Sequence, residues 1–372
     1  MGKRLLARWP LALVGAALAC VALALLSRAI APVVAPEPRT LYVAPGGSDA
    51  NSGARPGDAL ATIQRAVDLA GPGDRVELAE GDYLQDLVSR RDGARGAPIT
   101  IAGPAGAVVR GAGAPYVVEI NHDYITLEGF SLDGLWDDPR AAAGYRNKLL
   151  YAIGTRPGNG VTGLRVLHMR LANAGGECLR LRYFASHNEV AHSTFRNCGV
   201  HDFRFGDGKN GEAIYIGTAR AQIDDGKNPT AELDRSAHNW VHHNSFDTRG
   251  NECVDIKEGA TENLVEHNSC TGQRDPKSAG LDAQGDRNIL RYNRVFGNSG
   301  AGVRLGGDLG SDGVENAVYG NVLTGNGGGG IKIVRGPQGP LCENQIADNG
   351  DDPIVGMREG APDPSAPCLA EP

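Results

Sequence analysis

One motif recurs along the second half of the chain at near-constant spacing, and it leaves few folds open. Asn239-Trp240-Val241-His242-His243-Asn244 aligns with Asn263-Leu264-Val265-Glu266-His267-Asn268, with Asn288-Ile289-Leu290-Arg291-Tyr292-Asn293 and with Asn316-Ala317-Val318-Tyr319-Gly320-Asn321. The first asparagine advances by 24, 25 and 28 residues. An earlier copy at Asn188 lies 51 residues before Asn239, one coil lengthened by excursions at His201–Lys209 and Thr218–Ala237. Between these copies runs a second unit, Gly250-Asn-Glu-Cys-Val-Asp-Ile-Lys-Glu-Gly259, with relatives starting at Gly176, Gly211, Gly280, Gly302 and Gly330. Each is a short alternating strand, so Val254 and Ile256 point one way while Asp255 and Lys257 point the other. Short strands, a period of about 25 residues and asparagine at a fixed turn position predict a parallel β-helix. The asparagines read as stacked amide ladders that hold tight turns. Leucine-rich repeats share the period, but their Leu-x-x-Leu-x-Leu framework is missing.

The 53 glycines in 372 residues, about twice the usual share, suit many short strands and tight turns. The repeat predicts one elongated all-β domain over residues 40–372, a solenoid from about Arg75 to Val355 with a helical cap at Ala61–Ala70, acting as a monomer. Residues 32–39 read as a linker. Residues 1–31 carry Lys3, Arg4 and Arg8 before an apolar run, which reads as an export signal or a retained N-terminal anchor, the only expected membrane contact. A secreted, periplasmic or cell-envelope location follows. A net charge of −7 leaves no basic stripe for nucleic acid. Six of the seven cysteines fall in the exported part, and Cys178 with Cys198 and Cys253 with Cys270 occupy the same two positions of the repeat. Bridges 178–198 and 253–270 are therefore expected, with Cys342–Cys368 pinning the C-terminal tail.

The segment Leu41–Tyr83, with Tyr-Val-Ala-Pro-Gly-Gly, a short amphipathic stretch and Gly73-Asp-Arg-Val-Glu-Leu-Ala-Glu-Gly-Asp-Tyr83, resembles the N-terminus of right-handed parallel β-helix proteins of the pectate-lyase-like superfamily. It is especially similar to the lyase families that include chondroitinase B, alginate lyases and some bacterial pectate lyases. The resemblance covers about Thr40 to Val355. It implies activity on a polysaccharide, although the scaffold also serves hydrolases, epimerases and binding proteins. The Tyr-Gly-Phe-Asp-Pro-His motif of mannuronan epimerases is absent.

Stacking the strands in register gives three outward columns. The first holds Glu177, Glu212 and Glu252; the second holds Arg180, Tyr215, Asp255, Asp282, Arg304 and Lys332; the third holds Arg182, Lys257 and Gln284. Adjacent carboxylates repel, so Glu212, Glu252, Asp255 and Asp282 require a cation, a proton or a basic side chain among them, and Ca²⁺ is the candidate ion. The resemblance implies a metal that neutralises a uronate carboxylate while a basic side chain removes the neighbouring proton. On that reading Lys257 is the base, Tyr215 the donor to the leaving oxygen and Arg180 a holder of the substrate carboxylate. Arg182, Gln284 and Arg304 would bind substrate. The expected reaction is β-elimination on an acidic, uronate-containing polysaccharide. The alternatives are a hydrolase using paired carboxylates such as Asp255 and Asp282, or a non-catalytic binding face. Asp255 and Lys257 also read as a plain surface ion pair, and His201, His242 and His267 as turn or surface residues rather than ligands.

Overall fold

Alternating strands become a wall only when each coil lays its apolar residue on the equivalent residue of the coil before. Val190, Val241, Val265, Leu290 and Val318 do this in successive parallel register, all buried. The computed structural model describes residues 2, 37–206, 211–357 and 361–369. Among these, three parallel sheets of 11, 10 and 10 strands enclose one apolar core. Each full coil contributes one strand to every sheet, as Trp240–His242, Ser245–Asp247 and Val254–Ile256 do for the first, second and third sheets. Aromatic residues stack inside as well: the Phe195 and Phe246 rings lie 4.9 Å apart. Truncating one such ring to alanine costs about 3–5 kcal/mol.

The turns are held by amides. Asn188, Asn239, Asn263, Asn288 and Asn316 form a buried ladder in which each side-chain Nδ2 donates to the next Oδ1 at 2.9–3.1 Å. Asn244, Asn268, Asn293, Asn321 and Asn344 form a second. A third, Asn298–Asn326–Asn349, follows the second sheet. An amide carries both donor and acceptor, so identical residues stacked in a column satisfy one another.

The N-terminal end departs from expectation in one respect. Thr40–Val43 already pairs in parallel with Arg75–Leu78, so the solenoid begins before Arg75. The cap helix α1, Ile63–Leu69, is thus an insertion between the first two rungs of the first sheet. Thr62 caps it by accepting from the Arg65 amide at 3.1 Å, and Ile63, Ala66 and Val67 are buried. The bridges Cys178–Cys198, Cys253–Cys270 and Cys342–Cys368 all form. Residues 1–31, where an export signal or anchor is expected, lie outside the described residues apart from Gly2. Among the described residues, no helix is long and apolar enough to cross a membrane.

Candidate active site

The three outward columns stand on the third sheet in the register that the repeat requires. Arg180, Tyr215, Asp255, Asp282, Arg304 and Lys332 are consecutive partners. Glu177, Glu212 and Glu252 stack at the strand entrances, where Cys178 N donates to Glu212 O and Ala213 N to Glu252 O. On the inner side Ile214, Ile216, Val254, Ile256, Leu281 and Ala283 pack the core, which fixes the direction of every outward side chain.

This face is far drier than a solvated sheet: Glu212, Glu252, Asp255 and Asp282 are each 6% exposed or less. Stacked carboxylates repel, and burial strengthens the repulsion while removing hydration. The chain answers with cations. Glu177 pairs with Lys148 and, at 3.0 Å, with Arg180. Lys257 Nζ lies 2.6 Å from Asp255 Oδ2, and Arg304 Nη1 2.8 Å from Asp282 Oδ2. Arg304 also pairs with Asp308, Gln284 donates to Asp282 at 3.0 Å, and Ser278 donates to Glu252.

Among the described residues neither Glu212 nor Glu252 forms an ion pair of its own. Burial first, then Glu177 and Asp255, push Glu212 up to about 7. Burial, Glu212 and Asp282 push Glu252 up to about 8. Burial also raises Asp255 well above the usual carboxylate range, against the pull of Lys257. For Lys257, burial disfavours the charge, but Asp255, Tyr215, Glu212 and Glu252 hold the ammonium well above its ordinary value. As it stands, Lys257 is a cation locked to Asp255.

Carboxylate oxygens of Glu212, Glu252 and Asp255 all lie within 4.8 Å of one another. Asp255 Oδ1 is buried with no hydrogen-bond partner. An orphaned buried oxygen among proton-holding carboxylates is what a hard dication with oxygen ligands would satisfy, so the residues fit Ca²⁺. These groups line a cavity of about 260 Å³ together with Lys257, Asp282, Gln284 and Arg304, with Lys277 and Asp308 at its exposed rim.

Three expected site residues keep their places in the columns but stand apart from the cavity. Arg180, Arg182 and Tyr215 do not line this cavity, because the Thr218–Ala237 excursion folds over them. Arg180 Nη2 donates to Gln222 Oε1 at 2.7 Å, the Tyr215 hydroxyl meets the same oxygen at 3.4 Å, and Arg182 Nη2 lies 2.6 Å from Asp225. Asp234 anchors the excursion by accepting from the amides of Tyr183 and Phe184, and Arg220 ties it to Asp312. The expectation of an exposed Lys257–Asp255 pair is likewise replaced by a half-buried lysine on a buried carboxylate. His201 stands apart, its Nε2 3.1 Å from the Ala142 carbonyl.

Residues 183–360 match the family model of the right handed beta helix region. The chain is a right-handed parallel β-helix. The β-helix superimposes on alginate lyase from Paenibacillus sp. str. FPU-7 with a TM-score of 0.62 at 19% identity, over 86% of this chain and 98% of that one. The pectate lyase Pel9A gives 0.56 at 14%, over 86% and 78%. The GH136 lacto-N-biosidase from Eubacterium ramulus gives 0.53 at 15%, over 85% and 65%. At such identities the likeness is one of fold. A comparison with curated proteins finds no match.

Sequence reasoning missed four residues that pair with the outward columns: Lys148, Ser278, Asp308 and Gln222. Lys148 opens the strand Lys148–Ile153 on the same parity as the core residues Leu150 and Ala152, so alternation would turn it inward, and only the structure sets it against Glu177. Ser278, Asp308 and Gln222 come from excursions without period, and nothing local marks them.

Proposed function

We propose that this β-helix is an exported enzyme that cleaves a uronate-containing polysaccharide by β-elimination in the cavity over the third sheet. The observation that carries the reading is the placement of a lysine, Lys257, beside three carboxylates that lack cations enough to balance them. The polysaccharide lyases among the structural neighbours support the substrate class, and the three disulfides support an oxidising compartment.

Glu212, Glu252 and Asp255 would hold a Ca²⁺ ion. Bound there, the ion supplies neutralisation of the substrate carboxylate, which acidifies the proton on the adjacent carbon. Arg304, at the cavity wall, would pair with the same carboxylate or its neighbour. Lys257 takes the proton only once Asp255 is engaged elsewhere, because their ion pair is what keeps the ammonium charged. The electron pair left on carbon forms the double bond as the carbon–oxygen bond to the leaving sugar breaks. Water at the open rim protonates the leaving oxygen. Tyr215 and Arg180 are not assigned these steps, since both lie beneath Gln222.

One observation favours a second reading. Glu252 stays protonated to about 8 near Asp282, which is paired with Arg304, and an acid beside a carboxylate is the pairing that a glycoside hydrolase uses. A screen of uronate and neutral polysaccharides, with and without chelator, separates the two. Ultraviolet absorbance of an unsaturated uronate supports elimination, and new reducing ends without it support hydrolysis. Binding with neither product overturns both.

A further inference from the structure

The turn between the first and second sheets holds one residue per coil in the left-handed backbone region, and in five successive coils that residue is aromatic. His168, His192, His243, His267 and Tyr292 have φ between 53° and 55°, and their rings stack at 5.0–5.2 Å. The stack is exposed, but the residue before His243 is not. His242 ends the strand Trp240–His242, is 5% exposed, and packs its ring on Trp240 at 3.7 Å.

Both nitrogens of His242 are engaged. Nε2 lies 3.3 Å from Glu189 Oε1, and Nδ1 lies 2.9 Å from His243 Nδ1. Glu189 is held on its other oxygen by Arg165 Nε at 2.7 Å. An ionised carboxylate only accepts, so His242 Nε2 carries the proton and Nδ1 presents its lone pair. The His243 nitrogen must then supply the single proton between the two Nδ1 atoms. His192, one coil earlier, stacks on His243, and one nitrogen from each of the three rings lies within 4.8 Å of the other two.

We infer that His192, His242 and His243 form a binding site for a borderline transition-metal dication such as Zn²⁺, Ni²⁺ or Cu²⁺, with Glu189 orienting His242. The ion takes the place of the proton shared by the two Nδ1 atoms. A carboxylate on the far nitrogen of a ligating imidazole fixes its tautomer and raises its basicity, and Glu189 is so placed. Three imidazoles select this class of ion over Ca²⁺ or Mg²⁺, which take oxygen. Water completes the coordination on the exposed side of His192 and His243. The site is separate from the acidic cavity, which lies on the third sheet. His242 reads as a turn or surface residue in isolation because its partners Glu189 and His192 come from the preceding coil, brought into register as Glu189↔Trp240 and Ala191↔His242.

The test is calorimetric titration of ZnSO₄ into tag-free, chelator-treated protein. One saturable site per chain is expected. His243→Asn and His192→Asn should each weaken it by tenfold or more, asparagine being chosen because it accepts the left-handed backbone. Glu189→Gln should weaken it by about 10- to 100-fold. His168→Asn and His267→Asn, in the same column but outside the trio, should leave it unchanged. Melting temperatures of the ion-free variants check that each has folded. The proposal is overturned if the wild type shows no saturable uptake or if folded His192→Asn and His243→Asn bind as the wild type does. It is also overturned if the two outside variants lose as much as the trio, or if Glu252→Gln abolishes binding instead.

Discussion

The asparagine turns and the third-sheet face are built by the same operation, stacking equivalent residues one coil apart, with opposite results. In the turns the stacked group is an amide, which donates to the next coil and accepts from the one before, so repetition is self-satisfying. On the third sheet the stacked groups are Glu177, Glu212 and Glu252, and repetition there sets like charges against each other in a dry place. The repeat holds itself together where its residues are neutral and needs help where they are charged. Lys148, Arg180, Lys257 and Arg304 supply much of that help, and the remaining imbalance is where the proposed ion and chemistry would enter.

The sharpest way to break the contrast is to remove a compensating cation. Lys257→Met should lower turnover by about 10²- to 10⁴-fold on any substrate the wild type cleaves. Because the lysine is paired and half-buried, the melting temperature should fall as well, and fall further as pH rises and Asp255 ionises without it. Adding Asp255→Asn to Lys257→Met should recover the melting temperature and not the turnover, which a double-variant cycle would read directly.

The charged face should also give the protein a pH dependence that the amide turns lack. Glu212 and Glu252 have folded values of about 7 and about 8, above the ordinary 4.5, so the folded chain binds more protons than the unfolded one between these limits. Their contribution is complete below about 4.5 and is lost as pH rises through 7 and 8, each tenfold gain in proton affinity on folding being worth about 1.4 kcal/mol. Denaturant titrations in chelator should therefore show stability declining over that window. Glu252→Gln should flatten the decline, and added Ca²⁺ should offset it; a flat wild-type profile would remove the basis for unbalanced carboxylates.

Smaller effects belong to the neutral scaffold. Replacing Cys253 and Cys270 together by alanine should cost about 3 kcal/mol in equilibrium unfolding, the value for a closed loop of this length. Asn263→Ala interrupts one rung of the first ladder and strands the donors of Asn239 that reach Asn263 Oδ1. Its cost should be about 2 kcal/mol, independent of pH, by the same titration. A pH-dependent loss from Asn263→Ala would erase the distinction between the two regions.

Much of the architecture was legible in the chain itself, because a solenoid turns sequence spacing into spatial neighbourhood. Steps of 25 and 27 residues place Asn263 on Asn288 and Asp255 on Asp282 without any long-range knowledge, and the shared repeat positions of the cysteines pair Cys178 with Cys198. Alternation says which residues face outward. Position along a column was thus determined by the sequence alone, and so were the cap and the ladders. Only the tertiary structure decided which outward residues stay accessible. The Thr218–Ala237 excursion has no period, and its return over Gln222 and Asp225 buries Arg180, Arg182 and Tyr215 while leaving Lys257 and Arg304 at the cavity. Charge follows access: a carboxylate that would be ionised on an open sheet holds its proton once loops remove water from around it. Likewise His242 meets His192 only because a 51-residue coil closes in register, which depends on packing across the whole solenoid rather than on any local signal.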